Sequence, residues 1–265
     1  MDWTGKVAVV TGGASGIGAA SVREFCAEGA TAWILDINVP MGDKLAAQLR
    51  SEGYLAEFRE LNVSDSDRCR KQVDEIALQS GGVHCLVNSA VSFLSRGLRV
   101  TTEEWEQSLG VNVRGGANMA QACYPHMKSA GGGAIVNISS ISGHIAQADR
   151  WTYNACKGAI LSLTRCQALD MAPDKIRVNS VSPGWTWTPE VEKAAVGGRE
   201  KWEPLWGNFS MMRRIGEARE VARAILFLCS DDASFITGAD LPVDGGYLGL
   251  GSEGLGDHST FAGSK

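Results

Sequence analysis

Two side chains four residues apart could carry an acid–base reaction: Tyr153 and Lys157, in the run Tyr153-Asn154-Ala155-Cys156-Lys157. The pattern over 151–172 predicts a helix, where residues i and i+4 share a face. A free tyrosine has a pKa near ~10 and is a poor base at neutral pH. An ammonium beside it favours the phenolate and is expected to lower that pKa. Such a pair can take a proton from an alcohol or return one to a carbonyl oxygen. Taken alone, it is more often ordinary helix surface, so its neighbours in the sequence decide.

A second constellation lies near the amino end. Thr11-Gly12-Gly13-Ala14-Ser15-Gly16-Ile17-Gly18 follows an apolar strand over 6–10 and opens a helical pattern over 16–28. Glycines there permit a tight turn, close backbone approach to a pyrophosphate and close helix–strand packing. The helix N-terminus then offers free N–H groups to phosphates. Asp36 ends the next strand, over 31–36, where a carboxylate can bind adenine-ribose hydroxyls and repels a 2′-phosphate. Ala14, Ser15 and Ile37 offer no base to receive that phosphate, so NAD is expected rather than NADP.

The elements that must position these groups alternate. Helices are predicted over 40–52 and 66–80, strands over 55–61 and 84–88. Thr101 and Glu104 form a capping box, from which a long helix should run to about residue 128. Strands over 134–139 and 176–181 flank the 151–172 helix. Continuous apolar strands alternating with helices imply a parallel sheet covered on both faces. The expected fold is α/β: a single-domain, Rossmann-type, doubly wound parallel sheet with helices on both faces. The expected domain is 1–248, with a Trp- and Met-bearing lid at about 185–216 and a Gly/Ser-rich tail at 249–265.

Composition narrows the function. The 265 residues carry 25 basic and 30 acidic side chains, a net charge of −5, with no basic run for nucleic acid. No apolar run approaches a membrane span, and the amino end does not read as a signal peptide, so a cytoplasmic protein is expected. Seven cysteines without a Cys-x-x-Cys fit reduced thiols, and the four histidines lack ligand spacing, so no metal site is expected.

Further motifs fall in order along the chain. Ser140 stands thirteen residues before Tyr153, Asn112-Val113-Arg114-Gly115 lies between the two constellations, and Pro183-Gly184, Thr188 and Asp244-Gly245-Gly246 follow. With Thr11-Gly12-x-x-x-Gly16-x-Gly18 and Tyr153-x-x-x-Lys157, these make the chain resemble the short-chain dehydrogenase/reductase family over about residues 5–246. The resemblance implies an NAD-dependent alcohol dehydrogenase or ketone reductase. Ser140 would hold the substrate oxygen, Tyr153 would exchange the proton, and Lys157 would also bind the nicotinamide ribose. Asn112 would hold a helix kink and a water of the proton relay. Cofactor contacts would come from Gly12, Ser15, Gly16, Ile17 and Gly18, from Asp36, and from Pro183, Gly184, Thr186 and Thr188. Asn62, Val63 and Asn88 would meet the adenine side. There the chain departs from the family: Asn88-Ser89-Ala90-Val91 replaces Asn-Asn-Ala-Gly, Asn62 replaces an acid, and Thr186 replaces a branched apolar residue.

The substrate wall would come from three stretches: His144, Gln147, Arg150 and Trp151; Ser92, Phe93 and Arg96; and the lid with Trp185, Trp187, Trp202, Trp206, Arg213 and Arg214. Tryptophan faces stack on rings and arginine forks hold carboxylates. Arg150, Trp185 and Trp187 are therefore expected to meet a small-molecule secondary alcohol or ketone, a sugar or sugar acid in particular. An apolar cyclic or aromatic alcohol is the competing expectation, and a non-catalytic NAD-sensing protein the alternative of another class. The enoyl reductases related to this family separate Tyr and Lys by more residues. The family's habit implies a homotetramer.

Overall fold

The computed structural model describes residues 1–251 and 254–255. Most of the expected tail therefore lies outside the described residues.

In chain order the first half runs β1 (Val7–Thr11), α1 (Gly16–Ala27), β2 (Thr31–Asp36), α2 (Val39–Ser51), β3 (Ala56–Glu60), α3 (Ser66–Ser80), β4 (Cys85–Asn88), α4 (Thr102–Leu109), α5 (Gly115–Ser129) and β5 (Gly133–Ile138). The second half runs α6 (Trp151–Met171), β6 (Ile176–Pro183), β7 (Thr186–Trp187), α7 (Pro189–Ala194), α8 (Arg199–Trp206), β8 (Gly216–Glu217), α9 (Ala218–Cys229) and β9 (Asp240–Val243). Seven strands form one parallel sheet in the order β3-β2-β1-β4-β5-β6-β9. The order reverses between β1 and β4, which opens a crevice at their carboxyl ends.

Strand periodicity explains the two-sided core, since successive side chains point to opposite faces. Ala8, Val10, Ile34, Val87 and Val136 pack with Phe25 of α1, Leu49 of α2 and Ile225 of α9. Val7, Val9, Leu35, Leu86 and Ile135 pack with Ile76 of α3 and with Met119 and Met127 of α5. Both faces are thus apolar, as the unbroken strand runs required.

Three departures from the sequence expectations stand out. The long helix expected from Thr101 to about residue 128 begins at the expected capping box. It is then interrupted by a π-helical turn over Gly110–Arg114. The predicted strand over 176–181 extends to Pro183. The helix α9 and the edge strand β9 were not anticipated. The helix has a readable pattern, because Val221, Ala222, Ile225, Leu226, Leu228 and Cys229 bury one face.

Candidate active site

The glycine turn sits in the crevice. Gly12 has φ +62, and a Cβ there would stand 2.7 Å from the Ser89 carbonyl oxygen and 2.8 Å from the Ala90 backbone. A Cβ on Gly18 would lie 2.1 Å from the Gly12 oxygen. Thr11 Oγ1 accepts from the backbone N–H groups of Ser89 and Ala90 at 3.1 and 3.2 Å, stitching the end of β1 to the loop after β4. Ser15 caps α1 with an exposed side chain that makes no capping bond. Ile17 packs on the core. Gly16 has φ +53 and faces the Thr188 methyl, 3.6 Å from where its Cβ would be. The dinucleotide turn and the start of the lid therefore meet.

Asp36 is half-buried. Its two oxygens accept from the Ala14 N–H (3.0 Å) and the Asn38 N–H (2.9 Å). Each oxygen keeps acceptor capacity, so the carboxylate shapes the glycine turn and can still receive ribose hydroxyls. A nicotinamide dinucleotide fits this surface: Gly12 and Gly18 allow the tight turn that presents the N-terminus of α1 to a pyrophosphate, and the acid ends β2.

At the reacting end, Ser140 follows β5 and Tyr153 lies in the first turn of α6. The Ser140 hydroxyl accepts from the Ser142 N–H at 3.1 Å and hydrogen-bonds the Tyr153 phenol. Lys157 is 3% exposed, and its Nζ donates to the Ile138 carbonyl at 2.7 Å. That ammonium lies 5.5 Å from the Tyr153 ring centroid. Burial pushes Lys157 down to about 8. The expectation that Lys157 lowers the tyrosine pKa needs correction. Burial raises Tyr153 above its ordinary value, and what opposes the rise is the Ser140 hydrogen bond and then the charge of Arg150. The ring is stacked on Phe93, with centroids 5.7 Å apart and planes at 21°.

Asn112 lies inside the π-helical turn. Its Oδ1 accepts from the Ser92 N–H and its Nδ2 donates to the Ser92 carbonyl, both at 3.0 Å. The kink thereby pins the loop that carries Phe93. Asn88 Nδ2 donates to Asn137 Oδ1 at 2.9 Å, and Asn137 Nδ2 reaches Thr164 and Gln167 at 3.0 Å each. This relay was not foreseen; Asn137 stands as a lone polar residue in an apolar strand, which was its signal. Asn88 Oδ1 is buried without a protein partner and the residue lines a cavity of about 10 Å³. Asn62 is exposed, and its Oδ1 accepts from the backbone and hydroxyl of Ser64. Val63 is buried against Gly115.

Pro183 ends β6, and Gly184 follows so close to Asp244 that a Cβ would stand 2.7 Å from its Cα. Thr186 is buried and its hydroxyl donates to the Gly184 carbonyl at 3.2 Å; Thr188 caps α7. Beyond them the lid has its own small core. Trp185 stacks on Trp206 and Trp206 on Trp202, each at 4.8 Å, while the Arg199 guanidinium lies 5.1 Å over Trp187. The tryptophan faces expected to meet substrate are thus engaged within the lid. Several other expected wall residues are also occupied. His144 Nε2 lies 3.0 Å from Asp240 Oδ2, Gln147 accepts from Ser142, Arg96 pairs with Glu104 and Arg214 with Glu220. Arg150 and Phe93 remain beside the reacting phenol.

A parallel sheet whose strand order reverses beside a glycine turn, with a Ser–Tyr–Lys group at the end of β5 and the start of α6, defines a nicotinamide-dependent oxidoreductase. Comparisons with known proteins agree. A protein-family model described as enoyl-(acyl carrier protein) reductase matches residues 12–248. The chain is 37% identical over 243 residues to a cyclopentanol dehydrogenase of Comamonas, covering 91% of this chain and 96% of that one. It is also 37% identical over 253 residues to a cis-4-hydroxycyclohexanecarboxylate dehydrogenase of Sinomonas cyclohexanicum, covering 92% and 97%. Among solved structures, that of gox2181 superposes with a TM-score of 0.87 at 32% identity, covering 94% of this chain and 98% of that one. The chain belongs to the short-chain dehydrogenase/reductase family. It is an oxidoreductase of the alcohol dehydrogenase/reductase kind. Among the described residues no helix is long and apolar enough to cross a membrane.

Proposed function

We propose that this chain is an NAD(H)-dependent dehydrogenase that interconverts a cyclic secondary alcohol and its ketone. The observation that carries the reading is the convergence of Ser140, Tyr153 and Lys157, with the Tyr153 ring walled by Phe93. A flat aromatic wall suits a ring-shaped alcohol. Two relatives named for five- and six-membered ring alcohols support the same class. The sugar reading rested largely on tryptophan faces, and stacking within the lid removes most of that support.

The chemistry a bound nicotinamide supplies is acceptance or donation of the hydride. The chain's own residues handle the oxygen and its proton. Ser140 holds the substrate oxygen and steadies the charge that builds there. In oxidation, Tyr153 as phenolate takes the hydroxyl proton; in reduction, the phenol returns it. Lys157 keeps N–H donors beyond the one given to Ile138, enough for a ribose hydroxyl. Asp36, with no base at Ala14, Ser15 or Ile37, favours NAD over NADP.

The test is reduced-nicotinamide absorbance with purified protein, NAD or NADP, and a panel of cyclic alcohols, acyclic alcohols and sugars. Turnover of cyclic alcohols with NAD, well above that with NADP, is expected. Turnover confined to sugars or to NADP would overturn the respective part, and tight NAD binding without any turnover would overturn the whole.

A further inference from the structure

The basic side chains of the expected substrate wall and lid are mostly committed to carboxylates. Arg96 pairs with Glu104 at 3.1 Å, Arg214 with Glu220 at 2.6 Å, Arg199 with Glu203 and Glu217 at 2.7 Å each, and His144 with Asp240 at 3.0 Å. Arg150 pairs with no carboxylate among the described residues. Its guanidinium carbon lies 5.7 Å from the Tyr153 ring centroid, with Arg150 as the N-cap residue of α6, three positions before the tyrosine.

This placement is fixed by the opposite loop. Asp149, just before Arg150, takes φ +58, a conformation that a non-glycine residue seldom adopts. The Ser95 hydroxyl donates to the Asp149 carbonyl at 2.7 Å, and the Thr152 hydroxyl donates to the Leu94 carbonyl. Gly97 presses on Asp149 so closely that a Cβ would stand 2.5 Å from Asp149 Oδ1. The same loop carries Phe93, which stacks on Tyr153 and is 42% exposed, and Trp151 beside Arg150 is 50% exposed. Phe93 and Arg150 thus flank the reacting phenol, an exposed apolar ring on one side and a guanidinium without a carboxylate partner on the other.

We propose that Arg150 is a specificity residue that clamps a carboxylate on the substrate, so that the preferred alcohol is a cyclic hydroxy acid. The inference rests on the dehydrogenase reading above and names the substrate class within it. A ring packs beside Phe93, its hydroxyl reaches Ser140 and Tyr153, and its carboxylate meets the planar fork in a bidentate pair. The reaction is otherwise the one already described: the carbinol hydride leaves to the nicotinamide, the hydroxyl proton goes to Tyr153, and the carboxylate is unchanged.

The test compares kcat/KM for a hydroxycyclohexanecarboxylate, its carboxamide and cyclohexanol, in the wild type and in Arg150→Gln and Arg150→Lys. Arg150 also acts on the Tyr153 phenol, but that effect falls on acid and amide alike and cancels in their ratio. The wild type is expected to prefer the carboxylate over the carboxamide by about 10- to 100-fold, mainly through KM. Arg150→Gln should abolish the preference and Arg150→Lys should restore part of it. Residual cyclohexanol turnover reports that a variant has folded. No acid-over-amide preference in the wild type, or one unchanged in Arg150→Gln, would overturn the clamp while leaving the dehydrogenase reading standing. No turnover of any of the three alcohols by the wild type would overturn both.

Discussion

Lys157 is an ammonium in an unfavourable place, and its cost can be measured. Its ordinary pKa is 10.5, and burial takes it to about 8. Between those values the unfolded chain binds the proton more tightly, so stability should rise as pH climbs from about 8 to about 10.5 and be flat below. The difference corresponds to on the order of 3 kcal/mol. Lys157→Met removes the buried charge. The variant is expected to be at least as stable as the wild type at pH 7, with the gap narrowing towards pH 10.5, while turnover falls at least ~100-fold. Urea denaturation at a series of pH values checks this; a difference independent of pH would contradict it. At this scale the sequence was legible where spacing carries the signal, as for Ser140, Tyr153 and Lys157. It was not legible where partners come from remote segments. The source of the pressure on the Tyr153 pKa depends on burial and on Arg150, and the Asn88–Asn137–Gln167 relay joins three elements.

At the scale of elements, two devices place the site. The π-helical turn at Gly110–Arg114 turns Asn112 onto the loop after β4, and π turns of this kind often mark functional sites. The capping box that begins α4 could be read from Thr101 and Glu104; the kink at Asn112 was expected only from the family resemblance, and its π-helical form was not. The lid is the second device. Trp206, Ala195 and Ile215 form a cluster separate from the two sheet cores, with Trp185, Trp187 and Trp202 packed on it. Such a satellite should open locally rather than with the whole fold. Trp206→Ala is therefore expected to raise KM for the alcohol several-fold and to speed amide hydrogen exchange across 185–215, with little change in the main melting transition. A large drop in that transition would show that the lid core is instead part of the global fold.

At the scale of the molecule, the sheet order gathers the strand-end candidates at one edge. The glycine turn, Asp36, Ser140 and Pro183 all stand at or just beyond the carboxyl ends of β1, β2, β5 and β6, as open parallel sheets place their ligands. The doubly wound order could be inferred from alternating strands and helices, since short crossovers leave few arrangements. The carboxyl third was less legible. The helix α9 contributes Ile225 and Leu226 to one core, and β9 completes the sheet beside β6, yet β9 is short and interrupted by Pro242. Its identity as a strand comes from pairing with β6, a tertiary effect that local propensity does not carry.

The central claim is that Tyr153 moves the proton in a nicotinamide-linked oxidation. The most direct measurement is Tyr153→Phe, with NAD affinity and turnover of a cyclic alcohol determined on the same preparation. Phenylalanine keeps the ring stacked on Phe93 and removes only the hydroxyl. The account predicts NAD binding within about 2-fold of wild type and turnover reduced by about 10²- to 10⁴-fold. Turnover at the wild-type level would contradict it and remove Tyr153 from the mechanism.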